Sequence, residues 1–137
     1  MGVSHGLGPR LLLDTHALLW TLLEPARIPA ATLAAIRDPA TQVLVSAASA
    51  WEIGTKVRLG RLDDARAVAY GYPAHLQRLR ADELAITAHH ALTAGLLYWE
   101  HRDPFDRMIA AQCMLESIPL VTADEMLTEF PGLRVVW

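Results

Sequence analysis

Four acidic residues stand beside the apolar segments of this sequence: Asp14, Glu52, Asp106 and Asp124. Carboxylates that share one pocket repel each other, and some stay protonated unless a cation joins them. Oxygen ligands without a cysteine or a clear histidine cluster favour Mg²⁺ or Mn²⁺ over zinc. A metal of this kind lowers the pKa of a bound water and orients it for attack on phosphorus. If the four acids meet, the chemistry they favour is metal-assisted hydrolysis of a phosphate ester.

The acid in the stretch HRDPFDRMIAAQ has a structural explanation as well. Asp103 is a predicted helix cap, Pro104 fits the first helical position, and Asp106 in the first turn favours the helix dipole. However, Asp106 shares a helix face with Ile109 and Cys113, which are apolar, whereas a dipole partner usually lies on the polar face. We therefore assign Asp103 to structure and Asp106 to the candidate site.

Two further acids can also be explained by helix starts. Asp14 could cap the first helix. Ser49 and Glu52 have the spacing of a capping box, and Glu52 with Lys56 forms a favourable i,i+4 pair.

The fourth acid lies beside another possible capping box. Thr122 and Glu125 have that spacing, which would leave Asp124 in the first turn of a short helix. Each acid alone therefore has a structural explanation, and only the set of four favours a cation site.

The elements that must position these acids alternate between strands and helices. Strands are predicted at residues 10–14, 41–46 and 118–124, with shorter candidates at 84–87 and 133–137. Helices are predicted between these strands, at residues 15–25, 29–39, 49–60, 71–84, 88–98, 104–116 and 125–130. The clear strands are continuous apolar runs, which indicates a parallel sheet covered on both faces. Ligands bind at the carboxyl ends of such strands, where Asp14 and Asp124 would lie.

Composition limits the classes of protein that the sequence can represent. The chain has 137 residues, 53% hydrophobic and 20% charged, which predicts one folded domain over residues 1–137. The net charge of −3 argues against a strongly basic, non-specific nucleic-acid binder. The single cysteine, Cys113, excludes an internal disulfide and fits a reducing compartment, so a cytoplasmic location is expected. We expect no secretory signal in MGVSHGLGPR and no membrane span.

Four stretches together resemble the PIN-domain ribonucleases, and most closely the VapC-type toxins of bacterial toxin–antitoxin pairs. They are LLLDTHALLW, SAASAWEIGTKVRLGRL, HRDPFDRMIAAQ and IPLVTAD, in the family's order, from about residue 10 to residue 124. The resemblance implies a three-layer α/β/α sandwich with a mostly parallel sheet of about five strands. It also implies an Mg²⁺- or Mn²⁺-dependent endoribonuclease that forms a homodimer and is held inactive by a cognate VapB-type antitoxin.

The resemblance assigns the family's acids residue by residue. The first-strand aspartate matches Asp14, the glutamate of the WEI helix matches Glu52, and the PFDR aspartate matches Asp106. The aspartate of VTAD, usually the least strictly required, matches Asp124. The family also implies polar neighbours at the site, for which the candidates are Thr15, Ser46 and Thr122.

Two cations near these acids are candidates for contacts with RNA phosphates. Lys56 follows the WEI segment and could hold a phosphate, although cations are also favoured at a solvated helix end. Arg107 could contact a phosphate or an antitoxin carboxylate, or it could form a structural salt bridge.

Three alternatives remain open at the level of the sequence. A phosphatase with an aspartate nucleophile wants a second aspartate two residues after the first, where this chain has His16. A phospho-acceptor signalling domain usually has paired acids at the end of its first strand, and this chain has one. A catalytically silent binding module remains the third. Nucleotide-binding loops are not supported, because the GLG at residues 6–8 precedes the first strand and no G-x-x-x-x-G-K-[ST] occurs.

Overall fold

A computed structural model describes residues 9–137, in which strands alternate with helices. Residues 1–8, which include the GLG and most of the stretch MGVSHGLGPR, lie outside the described residues. Short 3₁₀ turns at Pro25–Arg27 and Asp63–Ala65 join some of the elements. In chain order, the elements are β1 (Arg10–Leu13), α1 (Thr15–Leu23), α2 (Ala30–Arg37), β2 (Gln42–Ser46), α3 (Ala47–Arg58), α4 (Arg66–Tyr70), α5 (Tyr72–Leu79), β3 (Ala81–Leu84), α6 (Ala88–Leu96), α7 (Pro104–Glu116), β4 (Leu120–Val121), α8 (Glu125–Thr128) and β5 (Val135–Val136).

The five strands form one sheet in the order β3-β2-β1-β4-β5, and every neighbouring pair is parallel. Leu13 is in register with Val45 of β2 on one side and with Val121 of β4 on the other. The residues that follow these three positions are Asp14, Ser46 and Thr122, so the register alone brings three polar side chains together at the carboxyl edge.

Successive side chains of the central strands point to opposite faces, and each face is covered. Leu11 and Leu13 pack with residues of α1 and α3, whereas Leu12 packs with Ile109 and Ala110 of α7. Continuous apolar runs are therefore required, because both faces of β1, β2 and β4 are buried. The predicted α/β/α sandwich with a mostly parallel sheet is confirmed.

The predicted bounds of three elements are wrong. The segment 71–84 is not one helix, because α5 ends at Leu79 and β3 follows at Ala81–Leu84, before the strand that was predicted at residues 84–87. The sequence of β3, ADEL, is largely exposed at the edge of the sheet, so it lacks the apolar run of a buried strand. The strand predicted at residues 118–124 is shorter and spans only Leu120–Val121.

The start of α3 also differs from the predicted capping box. Ser46, the last residue of β2, is the N-cap, and its hydroxyl accepts a hydrogen bond from the Ala48 amide. Ser49 lies inside the helix, where its hydroxyl is 3.0 Å from that of Thr15. Glu52 is therefore not a capping-box partner, and its position must have another explanation. Within residues 9–137, no helix is both long and apolar enough to cross a membrane.

Candidate active site

The strand order places a crevice between the carboxyl ends of β1 and β4. From β1 the chain goes first to β2 and β3 on one side and later to β4 and β5 on the other. In open α/β sheets, ligands bind at the point where the order reverses in this way. Asp14 follows β1 and Asp124 follows β4, so two of the predicted acids stand at this crevice.

Asp14 is buried, and both of its carboxylate oxygens are engaged. The side chain is the N-cap of α1, with Oδ1 accepting from the Ala17 amide at 2.8 Å, and Oδ2 accepts from the Thr122 hydroxyl. The same Thr122 oxygen accepts from the Asp124 amide at 3.0 Å. Burial raises the pKa of Asp14 above its usual value although these hydrogen bonds and nearby His16 oppose that shift. An ionised carboxyl group at Asp14 therefore costs folding free energy.

Asp124 is the exposed acid of the set. It is the N-cap of α8, and its Oδ1 accepts from the amides of Met126 and Leu127. The predicted capping box of Thr122 and Glu125 is therefore wrong, because Asp124 itself is the cap. Thr122 instead joins Asp124 to Asp14, and the negative charge of Asp124 contributes to the raised pKa of Asp14.

Asp106 lies in the first turn of α7, as predicted. Its Oδ2 is 2.7 Å from Nε2 of His101. Burial raises the pKa of Asp106 to about 6; the His101 hydrogen bond opposes this shift, and the charges of Asp103, Asp124 and Glu52 add to it. Asp106 and Asp124 therefore share one electrostatic environment, although they come from different elements.

Asp103 caps α7 as predicted, because its Oδ1 accepts hydrogen bonds from the amides of Phe105 and Asp106.

Glu52 is buried in α3, with only 4% of its surface exposed, and its Oε2 lies 2.5 Å from Nζ of Lys56. The predicted i,i+4 pair is therefore present. Removal of Lys56 without another cation would leave the buried charge of Glu52 unpaired, which strongly destabilises a folded protein.

The predicted polar neighbours are all buried at this edge of the sheet. Thr122 is hydrogen-bonded to Asp14, Ser46 caps α3, and Thr15 contacts Ser49. These three hydroxyls therefore join the helix starts to the strand ends beneath the acids.

Arg107 is directed away from the acids, into the loop between α6 and α7. All five of its guanidinium N–H groups have backbone carbonyl partners, so neither a phosphate contact nor the alternative salt bridge describes its geometry. The accepting carbonyls are those of Ala94, Gly95, Leu97, Trp99 and His101, at 2.8–3.3 Å.

Asp14 and Asp124 line a modest cleft. A volume of about 220 Å³ is bounded by Asp14, His16, Trp20, Ala123 and Asp124. A larger cleft of about 630 Å³ lies at the amino ends of β2 and β3 and carries arginines as well as acids. Asp14, a buried carboxylate whose pKa is raised, lines the smaller cleft together with Asp124, so we place the site there.

The donor chemistry of the cleft fits a divalent cation. Its predicted ligands are all carboxylate oxygens, and a cation would offset the burial of charge that raises the pKa of Asp106 and the repulsion that adds to this shift. Of the residues that the structure describes, only His101, Asp103 and Asp106 place three possible ligand atoms within 4.8 Å of one another. Of the four predicted acids, Asp14 and Asp124 line the cleft, and among the described residues no three of the four place ligand atoms within 4.8 Å of one another. An Mg²⁺ ion, which usually keeps several waters, would reach the more distant acids through them.

His101 is the residue that the sequence analysis missed. It lies in the quoted stretch HRDPFDRMIAAQ, five residues before Asp106, and its imidazole makes the closest contact of that carboxylate. Its presence in the same short stretch was the available signal, but the spacing alone does not bring the two side chains together.

Comparisons with known proteins agree with the observed fold. The family model described as PIN domain matches residues 11–133. The fold is similar to VapBC2 from Rickettsia felis bound to a DNA fragment from its promoter, with a TM-score of 0.67, 16% identity, and coverage of 93% of this chain and 97% of that chain. Similar values hold for DNA-bound VapBC from Salmonella typhimurium, with a TM-score of 0.62, 20% identity, and coverage of 93% and 97%.

A toxin–antitoxin complex from Klebsiella pneumoniae is also similar, with a TM-score of 0.56, 19% identity, and coverage of 93% of this chain and 96% of that chain. Among curated proteins, none matches the sequence of this chain. At these identities the solved structures show a shared fold, whereas the family match covers most of the sequence.

Proposed function

Because the chain belongs to the PIN-domain family, we propose that it is a metal-dependent endoribonuclease and the toxin of a type II toxin–antitoxin pair. The observation that carries this proposal is the linked pair of acids at the strand-order reversal. Thr122 joins Asp14 to Asp124 there, and the charges of Glu52 and Asp124 act on Asp106 across the same cleft. The charges of Glu52 and Asp124 act on Asp106, and that of Asp124 acts on Asp14, which favours one cation site over four separate helix starts.

The proposed metal ligands are the four carboxylates, and the proposed ion is Mg²⁺ or Mn²⁺. Asp14 is held by the Thr122 hydroxyl and the Ala17 amide, Asp106 by His101, and Glu52 is paired with Lys56. The bound ion would lower the pKa of a water that attacks the phosphodiester and would offset the charge of the phosphate oxygens. The buried surroundings of Asp14 strengthen its attraction for such a cation.

The proposed substrate contacts divide into two groups. Thr15, Ser46 and Thr122 hold the strand ends and helix starts that surround the phosphate. Lys56 is partly exposed beside Glu52, and we assign it the RNA phosphate contact. Arg107 is engaged by the α6–α7 loop, so we assign it to that loop.

The proposed partners are a VapB-type antitoxin and a second copy of this chain, in the cytoplasm. Two of the similar structures are VapBC assemblies bound to DNA, and a third is a toxin–antitoxin complex. An antitoxin that covers the cleft would hold the nuclease inactive until it is removed.

RNA cleavage in the presence and absence of metal tests the proposed activity. The purified protein should cut single-stranded RNA with Mg²⁺ or Mn²⁺ and should stop when EDTA is added. Asp14→Asn should not cut, whereas Asp82→Asn, which changes an exposed acid on β3, should cut like the parent. Cleavage that persists in EDTA, or equal cleavage by Asp14→Asn, would contradict the proposal. No cleavage by the parent would favour the silent binding module.

Growth of a bacterial host tests the toxin assignment separately. Expression of the parent alone should slow growth, and co-expression of the antitoxin encoded beside it should restore growth. Expression of Asp14→Asn should leave growth unchanged. Slow growth with Asp14→Asn would show that the effect does not come from the proposed site.

A further inference from the structure

We propose that His101 is a positioning residue for Asp106, and that Arg107 holds the loop that carries His101. This inference rests on the proposed function, because it concerns the geometry of a carboxylate that we assign to the metal. It gives a role to two residues of HRDPFDR that the acids alone leave unexplained.

The first observation is the contact between the imidazole and the carboxylate. Nε2 of His101 lies 2.7 Å from Oδ2 of Asp106, and since an ionised carboxylate can only accept, the imidazole donates. The ring of His101 lies 4.9 Å from the ring of Trp99, which in turn lies 4.5 Å from that of Phe130. The imidazole is thus fixed by the aromatic rings while its N–H group holds one oxygen of Asp106.

The second observation is the carbonyl cup around Arg107, which we define as the five carbonyl oxygens that accept from its guanidinium. Two belong to the last turn of α6 and three to the loop that follows. A cation at a helix C-terminus is favoured by the helix dipole, and the planar guanidinium supplies donors that an ammonium cannot match. The last carbonyl of the cup is that of His101, at 2.9 Å.

These contacts connect into one arrangement. Arg107 follows Asp106 directly in α7, and its guanidinium holds the backbone of His101, whose side chain returns to Asp106. Without this hold, Asp106 would lie among the charges of Asp103, Asp124 and Glu52 with 18% of its side chain exposed, and repulsion would favour its turning outward. The contact with His101 restricts the side chain of Asp106 before a cation binds, and this preorganisation strengthens cation binding.

A direct metal–imidazole bond is the competing explanation. Possible ligand atoms of His101, Asp103 and Asp106 lie within 4.8 Å of one another. However, Nε2 of His101 is engaged by Asp106, and the imidazole ring lies 4.9 Å from the ring of Trp99. These engagements favour a hydrogen-bond role for His101, and spectroscopy separates the two roles.

Mn²⁺ affinity, measured by calorimetry on the purified full chain, tests the imidazole. His101→Leu should bind Mn²⁺ about 10–100-fold more weakly, the usual loss when a partner behind a metal ligand is removed. His101→Gln offers an N–H group at a similar distance and should retain most of the affinity. His89→Leu, which changes an exposed histidine of α6, should bind like the parent. Circular dichroism confirms folding, and a parent-like affinity for a folded His101→Leu would overturn the proposal.

Electron paramagnetic resonance of the Mn²⁺-loaded protein tests the role of the histidine. Protein with ¹⁵N-labelled histidine should show no coupling between the Mn²⁺ spin and a directly bound imidazole nitrogen. Coupling that is present in the parent and lost in His101→Gln would show that His101 is a ligand, which would overturn the positioning role.

A conservative change tests the carbonyl cup. Arg107→Lys keeps the charge but offers only three donors, so it should lower both the melting temperature and the Mn²⁺ affinity. The matched change Arg102→Lys, at an exposed arginine of the same loop, should alter neither. Unchanged Mn²⁺ affinity in Arg107→Lys would contradict the role of the cup.

The failure of this inference and the failure of the proposed function are distinguishable. A parent that neither binds Mn²⁺ nor cuts RNA contradicts the proposed function. A parent that does both, with Asp14→Asn losing both and His101→Leu losing neither, leaves the function intact and removes only the positioning role.

Discussion

Asp14 and Asp106 lie at the same cleft, but the protein holds their carboxyl groups in different ways. Asp14 is fixed from within the sheet, since the Thr122 hydroxyl and the Ala17 amide bind its two oxygens in the interior. Asp106 is held through a loop, because its partner His101 lies outside any helix or strand. One half of the site therefore depends on strand register and the other on loop conformation.

This difference indicates which kind of substitution should disturb each half of the site. The register that pairs Leu13 with Val121 places Asp14 beside Thr122, so any sequence that forms this sheet brings these two positions together. No comparable constraint acts on His101, whose loop depends on the carbonyl cup of Arg107. Substitutions in the strand half should change chemistry while the fold persists, whereas substitutions in the loop half should change geometry.

The largest effect is expected for Asp14→Asn in the strand half. RNA cleavage should fall by more than about 100-fold, beyond the loss typical of partners behind a metal ligand. The metal-free variant should nevertheless melt at the same or a higher temperature, because the raised pKa of Asp14 shows that burial disfavours its charged form. Differential scanning calorimetry in EDTA measures this. Because asparagine is an equally good helix cap, a marked drop in melting temperature would instead show that the charge of Asp14 stabilises the metal-free fold, which would contradict this account.

A smaller effect is expected at the hydroxyl that joins Asp14 to Asp124. Thr122→Val keeps the shape and removes the hydroxyl, so Mn²⁺ affinity should fall by about 10–100-fold. Thr122→Ser restores the hydroxyl and should recover most of the affinity. Titration calorimetry of both variants measures the contrast, and equal affinities for Val and Ser at this position would show that the link is not used.

The smallest effect concerns the pH dependence of stability in the loop half. The pKa of Asp106 is about 6 in the folded protein against its usual value of 3.8, so folding favours its protonated form. The corresponding stability is fully present below about pH 4 and is lost as pH rises through about 6. Relative to Asp106→Asn, the metal-free parent should therefore lose about 2 kcal/mol between pH 4 and pH 7.5.

Urea unfolding in EDTA at the two pH values measures this difference. If the free-energy gap between the parent and Asp106→Asn stays constant with pH, burial does not disfavour the charge of Asp106. Because the comparison is between two variants at each pH, titration of the other acids largely cancels.

The sequence predicted the strand half well. Apolar runs that end in Asp14 and in the segment before Asp124 identified both strands and the edge at which they meet. The helix predicted at residues 104–116 matches Pro104–Glu116, since a cap followed by proline fixes such a start locally. Features that local sequence patterns determine could therefore be predicted from the sequence.

The remaining features depend on contacts that local patterns do not specify. β3 is an edge strand with a polar sequence, so hydrophobic periodicity could not identify it. Either Ser46 or Ser49 could have been the N-cap of α3. Ser46 is the cap because β2 ends at that residue. The role of Arg107 follows from the path of the α6–α7 loop, which brings five carbonyls together from residues 94–101.

The most direct test of the central claim compares two aspartates that lie three residues apart at the start of α7. Asp103→Asn preserves a good helix cap, whereas Asp106→Asn removes a proposed metal ligand and leaves that cap intact. The rate of RNA cleavage in Mn²⁺ should be lost in Asp106→Asn and should remain near that of the parent in Asp103→Asn. Equal rates in the two variants, or a loss confined to Asp103→Asn, would contradict the proposed site.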